Sequence, residues 1–176
     1  MDNQLIISAV GPDRLDTIQQ ISRAVADAGC TTLDSRMTVL GGDFGIQQRV
    51  SGRWDMLAKL ETHLPAIARE LGLHLHLRRT RPPEPSRDQL SYAVDVIGMN
   101  QPGVVHHIAR FFAERRIRIR DLASSAYTAT HTETPMLSVH LTIDLDASSP
   151  IAPVREEFFD YCDQHNLDAI FEPVKN

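Results

Sequence analysis

The sequence has 176 residues, of which 42% are hydrophobic and 23% are charged, a composition typical of globular domains that excludes wholesale disorder. The formal net charge of −5 argues against a nucleic-acid-binding surface, because contacts to phosphate require concentrated lysine and arginine. The length fits one large domain or two small ones.

The sequence also lacks the usual signals for export and membrane insertion. Residues 1–4 carry no positive charge, and the apolar run 5–10 is too short for a signal-peptide core. No apolar run approaches the roughly 18 residues that cross a bilayer. Cys30 and Cys162 lie far apart without C-x-x-C spacing, so neither a disulfide framework nor a zinc site is indicated. We therefore expect a cytoplasmic protein.

The first half of the chain predicts the order strand, helix, strand, strand, helix, strand. Strands alternate or are β-branched, and helices show apolar residues at a spacing of three or four. The first helix is expected to begin at Leu15 and to bury Ile18. At Pro65 the second helix is expected to break or to start a fresh helical turn. The predicted strands are 5–10, 31–40, 44–50 and 73–77, and the predicted helices are 15–28 and 57–71.

Residues 81–88 contain three prolines in four positions, which cannot join a helix or the middle of a sheet. This stretch predicts an extended linker, residues 81–90. It would separate a first domain, residues 1–80, from a second domain, residues 91–176.

The second half repeats the pattern of the first half, and several residues match at one offset of 87, which aligns Gly11 with Gly98, Asp13 with Asn100 and Asp34 with Asp121. The sequence therefore predicts an α+β protein of two ferredoxin-like βαββαβ domains. Each would be a four-stranded antiparallel sheet with two helices on one face. The predicted strands of the second half are 92–97, 117–126, 137–145 and 167–171, and the predicted helices begin at Val104 and Ile151.

Motifs for catalysis and metal binding are not found. No serine lies in a Gly-x-Ser-x-Gly turn, and no base is placed beside Cys30. His74 and His76 fall on one strand face without a carboxylate at ligand spacing, and His106 and His107 diverge on a helix, which favours surface histidines. We expect no enzyme, no metal and no cofactor.

Two strand-to-helix turns remain as candidates, Gly11–Arg14 and Gly98–Gly103. Neither matches a nucleotide-binding glycine motif. The residues alone leave two interpretations open: the turns cap their helices and nothing more, or they hold an anion such as an amino-acid carboxylate on free backbone N–H groups.

The run Asn100-Gln101-Pro102-Gly103 before an apolar helix resembles the Asp/Asn-x-Pro-Gly loop of the ACT domain. Two such units in one chain are similar to the tandem ACT family that includes transcriptional repressors of the glycine cleavage system. The first half carries further residues typical of that family: Gly29-Cys30, Leu33-Asp34-Ser35-Arg36, Leu40-Gly41 and Ser51-Gly52-Arg53-Trp54.

The resemblance implies a non-catalytic regulator that binds a small amino acid, glycine among the candidates. It also implies repression through a DNA-bound transcription activator protein, without direct nucleic-acid or membrane binding, and a homodimer. Two alternatives stay open, a regulatory subunit of an amino-acid metabolic enzyme and a dimerisation module without ligand.

The two turns differ at the residues that would meet a ligand. Leu15 and Asp16 stand in the first turn where the second has Pro102 and Gly103. A carboxylate at Asp16 would repel a ligand carboxylate or satisfy the helix dipole itself. The predicted ligand site is therefore the second turn, Asn100, Gln101, Pro102, Gly103 and Val104, with Asp13 and Arg14 as neighbours if the two domains pair.

Overall fold

A computed structural model describes residues 3–82 and 89–174. The chain divides into two compact units, Met1–Glu84 and Pro85–Asn176, and both have the element order βαββαβ. The centre of the predicted linker, residues 83–88, lies outside the described residues, so the linker and the domain limits stay predictions.

Both units contain the same six elements, although the second helix of the first unit has 18 residues and that of the second unit has 14. The first unit comprises β1 (Asn3–Pro12), α1 (Thr17–Asp27), β2 (Thr31–Leu40), β3 (Asp43–Gly52), α2 (Trp54–Leu71) and β4 (His74–Thr80). The second comprises β5 (Gln89–Met99), α3 (Val104–Glu114), β6 (Arg118–Thr128), β7 (Pro135–Asp146), α4 (Ile151–Gln164) and β8 (Leu167–Pro173).

Each unit contains one antiparallel sheet, in the order β2-β3-β1-β4 and β6-β7-β5-β8. The register shifts between Thr32 and Asp34 in the first sheet and between Ile119 and Asp121 in the second, at positions that the offset of 87 aligns. The predicted fold of two ferredoxin-like units is confirmed, and a bulge shared at one position strengthens the case for an internal duplication.

Alternation along the strands places one sheet face of each unit against its helices. In β1, Leu5, Ile7 and Ala9 are buried and pack with apolar residues of α1 and α2. The second unit is built on aromatic contacts, since the Phe111 ring lies 5.2 Å from Phe112 and 5.0 Å from Phe158 between centroids. The opposite sheet face of each unit is not covered by its own helices.

Two details of the predicted helices are wrong. α1 begins at Thr17, so Leu15 precedes it and is fully exposed, and Ile18 is 49% exposed. α2 runs unbroken through Pro65, although proline removes one helical hydrogen bond. Leu64 and Leu71 are both 1% exposed, and keeping both buried requires that the helix continue past the proline.

Gly11 and Gly98 lie where the first strand of each unit passes the corner that precedes the last strand. A Cβ at Gly11 would lie 2.6 Å from the carbonyl oxygen of Gly72, and one at Gly98 would lie 2.4 Å from Cδ2 of Leu167. A side chain at Gly11 would meet fixed backbone, whereas one at Gly98 would meet the end of a leucine side chain.

The two glycines should differ in their tolerance of a methyl group. Gly11→Ala meets fixed backbone, so we expect a loss of about 1–3 kcal/mol in the free energy of unfolding. Gly98→Ala meets the end of a leucine side chain, which can rotate, so its loss should be smaller. Urea denaturation of both variants measures the difference, and equal losses would contradict this account.

Candidate functional site

The second turn, Asn100 to Val104, has a backbone that requires glycine. Gly103 is the N-cap of α3 with φ 94° and ψ −5°, a left-handed conformation that L side chains rarely adopt. The Asn100 N–H donates to the Pro135 carbonyl at 2.9 Å, and the His107 N–H donates to the Gly103 carbonyl at 2.9 Å. These bonds hold the turn between the β6–β7 loop and the helix.

Several backbone N–H groups of this turn are available to a ligand. The Val104 N–H lies at 3.5 Å from the Gln101 carbonyl, the limit of a hydrogen bond. Across residues 3–82 and 89–174, none of the N–H groups of Gly103, Val105 and His106 has a hydrogen-bond partner. Asn100 to Gly103 and His106 are exposed, whereas Val104 is buried and Val105 half-buried, so the turn lies at the surface at the positive end of the helix dipole.

The first turn has the same backbone hydrogen bonds but a different conformation. The Asp13 N–H donates to the Gly42 carbonyl at 3.0 Å, and the Thr17 N–H donates to the Arg14 carbonyl at 3.2 Å. The N-cap is Asp16, with φ −93° and ψ −7°. The sign of φ is opposite to that of Gly103, so the two turns present their N–H groups differently.

The Asp16 carboxylate lies at the N-terminus of α1 within a small ion-pair network. Arg14 donates from Nε and Nη2 to its two oxygens, both at 3.1 Å, and Gln20 Nε2 donates at 2.7 Å. These hydrogen bonds, first from Arg14 and then from Gln20, lower the pKa of Asp16. The carboxylate makes no hydrogen bond to the helix backbone, so it does not cap the helix. It stays charged where a ligand carboxylate would have to bind.

A histidine cluster lies behind the second turn. The His107 ring lies 4.7 Å from the His165 ring between centroids, and Tyr161 lies 4.3 Å from His165. His107 Nε2 is 3.5 Å from the position of a Cβ on Gly103. His107 Nδ1 and the Tyr161 hydroxyl are buried atoms without a hydrogen-bond partner among the described residues.

His107 is thus not the surface histidine that the sequence suggested. It is half-buried, and burial lowers its pKa, with further lowering by the charges of His165, His106 and Arg110. His165 belongs to the C-terminal cap of α4. No spacing in the sequence connects it to His107, so only the packing of α3 against α4 reveals the pair. His74 and His76, in contrast, are exposed on β4 as predicted.

Metal-ligating side chains and cysteines do not add to the candidate site. No three histidine, cysteine, aspartate or glutamate side chains in the described part of the chain are grouped so as to hold a metal ion. Cys30 and Cys162 are free and buried, and burial raises the pKa of Cys162 to about 12. No helix of the described residues is long and apolar enough to cross a membrane.

The first unit matches the family model of the ACT domain over residues 3–78. A transcriptional repressor of the glycine cleavage system from Escherichia coli K12 is 30% identical to this chain over 174 residues, which cover 97% of the chain and 90% of the relative. The chain belongs to the family of glycine cleavage system transcriptional repressors. The repressor of that name from Shigella flexneri has the same identity and coverage.

Solved structures agree with this assignment. A crystal structure assigned as a glycine cleavage system transcriptional repressor is 26% identical, with a TM-score of 0.77, and covers 100% of this chain and 99% of its own. A protein of unknown role from Galdieria sulphuraria has a TM-score of 0.79 at 21% identity, covering 99% of this chain and 100% of its own, and shows the shared fold alone. The resemblance to tandem ACT proteins is confirmed, and the relatives are regulators.

The histidine cluster predicts a pH-dependent stability. Because the pKa of His107 is lowered in the folded protein, the unfolded chain binds the proton first as the pH falls below about 6.5. The free energy of unfolding should therefore decrease as the pH falls below about 6.5. Part of that slope should disappear in His107→Gln, as measured by urea denaturation at several pH values.

His131→Gln is the matched control, since His131 is an exposed histidine of the same unit. It should retain the slope of the unaltered protein. A His107→Gln variant with an unchanged slope would contradict a burial penalty at this histidine.

Proposed function

We propose that this protein is a non-catalytic, amino-acid-responsive regulator that represses transcription of the glycine cleavage system through contact with a DNA-bound transcription activator protein. The observation that carries this proposal is the 30% identity to the E. coli repressor, which extends over both units and nearly the whole of each chain. A net charge of −5 supports a protein partner over direct contact with DNA phosphates. Such a partner places the protein in the cytoplasm.

The proposed ligand site is the second turn: Asn100, Gln101, Pro102, Gly103 and Val104. Its free N–H groups suit a carboxylate at the N-terminus of α3. Gly103 has no side chain to block the approach. The exposed Asn100 side chain has no hydrogen-bond partner within residues 3–82 and 89–174 and offers a carbonyl oxygen to an ammonium group. A small amino acid, with glycine as the first candidate, has both groups.

The first turn is proposed as the weaker of the two sites. Asp16 presents a negative charge there, and Arg14 is already engaged with it. Asp13 and Arg14 are proposed to contact the ligand of the second turn only if the two domains pair.

Ligand binding can be tested at Gly103 with a pair of variants that differ by one charge. Gly103→Asp and Gly103→Asn have the same shape, and both residues tolerate a left-handed backbone better than other L residues do. We expect glycine or another small amino acid to release heat with the unaltered protein. Gly103→Asp should bind more weakly than Gly103→Asn, by about threefold, because a carboxylate near the helix N-terminus repels that of the ligand.

Isothermal titration calorimetry across a panel of amino acids is the measurement. The absence of heat with every amino acid would overturn the sensing role and favour a module without ligand. Equal affinities of the two variants would place the ligand away from the second turn.

The repressor role requires a separate experiment. The chain should bind a complex of the activator with promoter DNA of the glycine cleavage operon, seen as a further shift in gel mobility, and should leave the same DNA unshifted when the activator is absent. A shift of the bare DNA would contradict repression through a protein. Recovery of an amino-acid metabolic enzyme, in place of an activator, in a pull-down would favour a regulatory subunit.

A further inference from the structure

The outward sheet faces of the two units carry opposite charge. The basic face is the side of the β2-β3-β1-β4 sheet that the helices leave open, and the acidic face is the matching side of the β6-β7-β5-β8 sheet. The register places these charged side chains and histidines on the basic face: Arg36, Arg49, Arg78, His74, His76, Asp34 and Asp43. It places these on the acidic face: Asp95, Asp121, Asp144, Asp146, Asp168, Glu172, Arg118, Arg120 and His140.

The difference in charge between the two faces is clearest at β4 and β8, which form the same edge of their respective sheets. In β4 the outward residues His74, His76 and Arg78 pair with Val10, Ser8 and Ile6 of β1. In β8 the outward residues Asp168, Ile170 and Glu172 pair with Ile97, Asp95 and Ala93 of β5. The same register positions therefore carry two histidines and an arginine in one unit and an aspartate, an isoleucine and a glutamate in the other, and all six side chains are exposed.

The edge charges are not compensated within their own units. Some charges nearer the centre are paired: Arg49 with Asp34 at 2.5 Å, His140 with Asp95, and Arg120 with Asp144 at 3.7 Å. In contrast, none of Arg78, Asp168 and Glu172 has an ion pair or hydrogen bond among the described residues. A surface of opposite charge would supply the missing partners.

Apolar side chains lie between these charges and are open to solvent. On the acidic face, Ile97 is 39% exposed, Met99 47% and Ile170 56%, and on the basic face Val10 is 51% exposed. Exposed apolar side chains surrounded by charged side chains have the composition of a protein–protein interface. Burying it would remove apolar area from water, and the charges would set the orientation.

We propose that the basic face of one copy docks on the acidic face of a second copy. A sheet of four strands, with the spacing of about 4.8 Å between strands and a length of about ten residues, presents roughly 600 Å². In a two-fold symmetric dimer each chain contributes both faces, so each buries more than the about 800 Å² per partner of a standard interface. This assembly does not depend on the proposed function.

The test is sedimentation velocity over a range of protein and salt concentrations, with charge-reversal variants. The unaltered protein should form a dimer whose dissociation constant rises with salt. Arg78→Glu and Glu172→Arg should each raise the dissociation constant about tenfold or more, because each brings like charges together in both interfaces. An equimolar mixture of the two variants should regain the affinity of the unaltered protein, since every interface of the mixed dimer again joins an acid to a base.

Arg23→Glu is the matched control for Arg78→Glu, because it makes the same change in net charge on α1, away from both sheet faces, where Arg23 is an exposed partner of Asp27. It should leave the dissociation constant unchanged, and circular dichroism should show that all variants keep the fold. A chain that stays monomeric at every concentration would overturn the proposal. So would a dimer that neither reversal weakens, or a mixture that does not restore affinity.

Discussion

The central position of the first strand in each unit determines where every other element lies. β1 is hydrogen-bonded to both β3 and β4, and β5 to both β7 and β8, so each places its turn against a hairpin on one side and a helix–strand corner on the other. Each first strand approaches the corner closely at a glycine, Gly11 against the backbone of Gly72 and Gly98 against the side chain of Leu167. The same pairing fixes which side chains face the helices and which face outward. The candidate ligand turns and the two charged faces are both consequences of this arrangement.

Duplication supplied two equivalent turns that have since become different in chemistry. Backbone hydrogen bonds from Asp13 and Asn100 to the neighbouring loops are retained in both. The residue at the N-cap determines the backbone conformation and the charge of each turn. Gly103 permits a left-handed backbone, whereas Asp16 adopts a right-handed one and adds a negative charge. One turn is consequently open to an anion, and the other is occupied by its own ion pair.

The sheet faces show the same divergence on a larger scale. Outward residues do not contribute to the core of their own unit, so they can change without loss of the fold, and here they have changed to opposite charge. Membership in a family of repressors and surfaces suited to assembly are consistent with a protein that works through contacts with other proteins. Arg78 and Glu172 illustrate this, since each is exposed at an equivalent edge position and has no partner in its own unit.

The sequence by itself determined the duplication, the order of the elements and the place of the two turns. These features follow from the local spacing of apolar residues, from the positions of glycine and proline, and from residues of the two halves that match at one offset. The tertiary structure decided what local rules could not. The buried stripe containing Leu64 and Leu71 keeps α2 continuous through Pro65, because burial of both outweighs the cost of one proline. His107 meets His165 only because α3 packs beside α4, and the opposite charge of the faces emerges only when the register assigns each side chain to a side of its sheet.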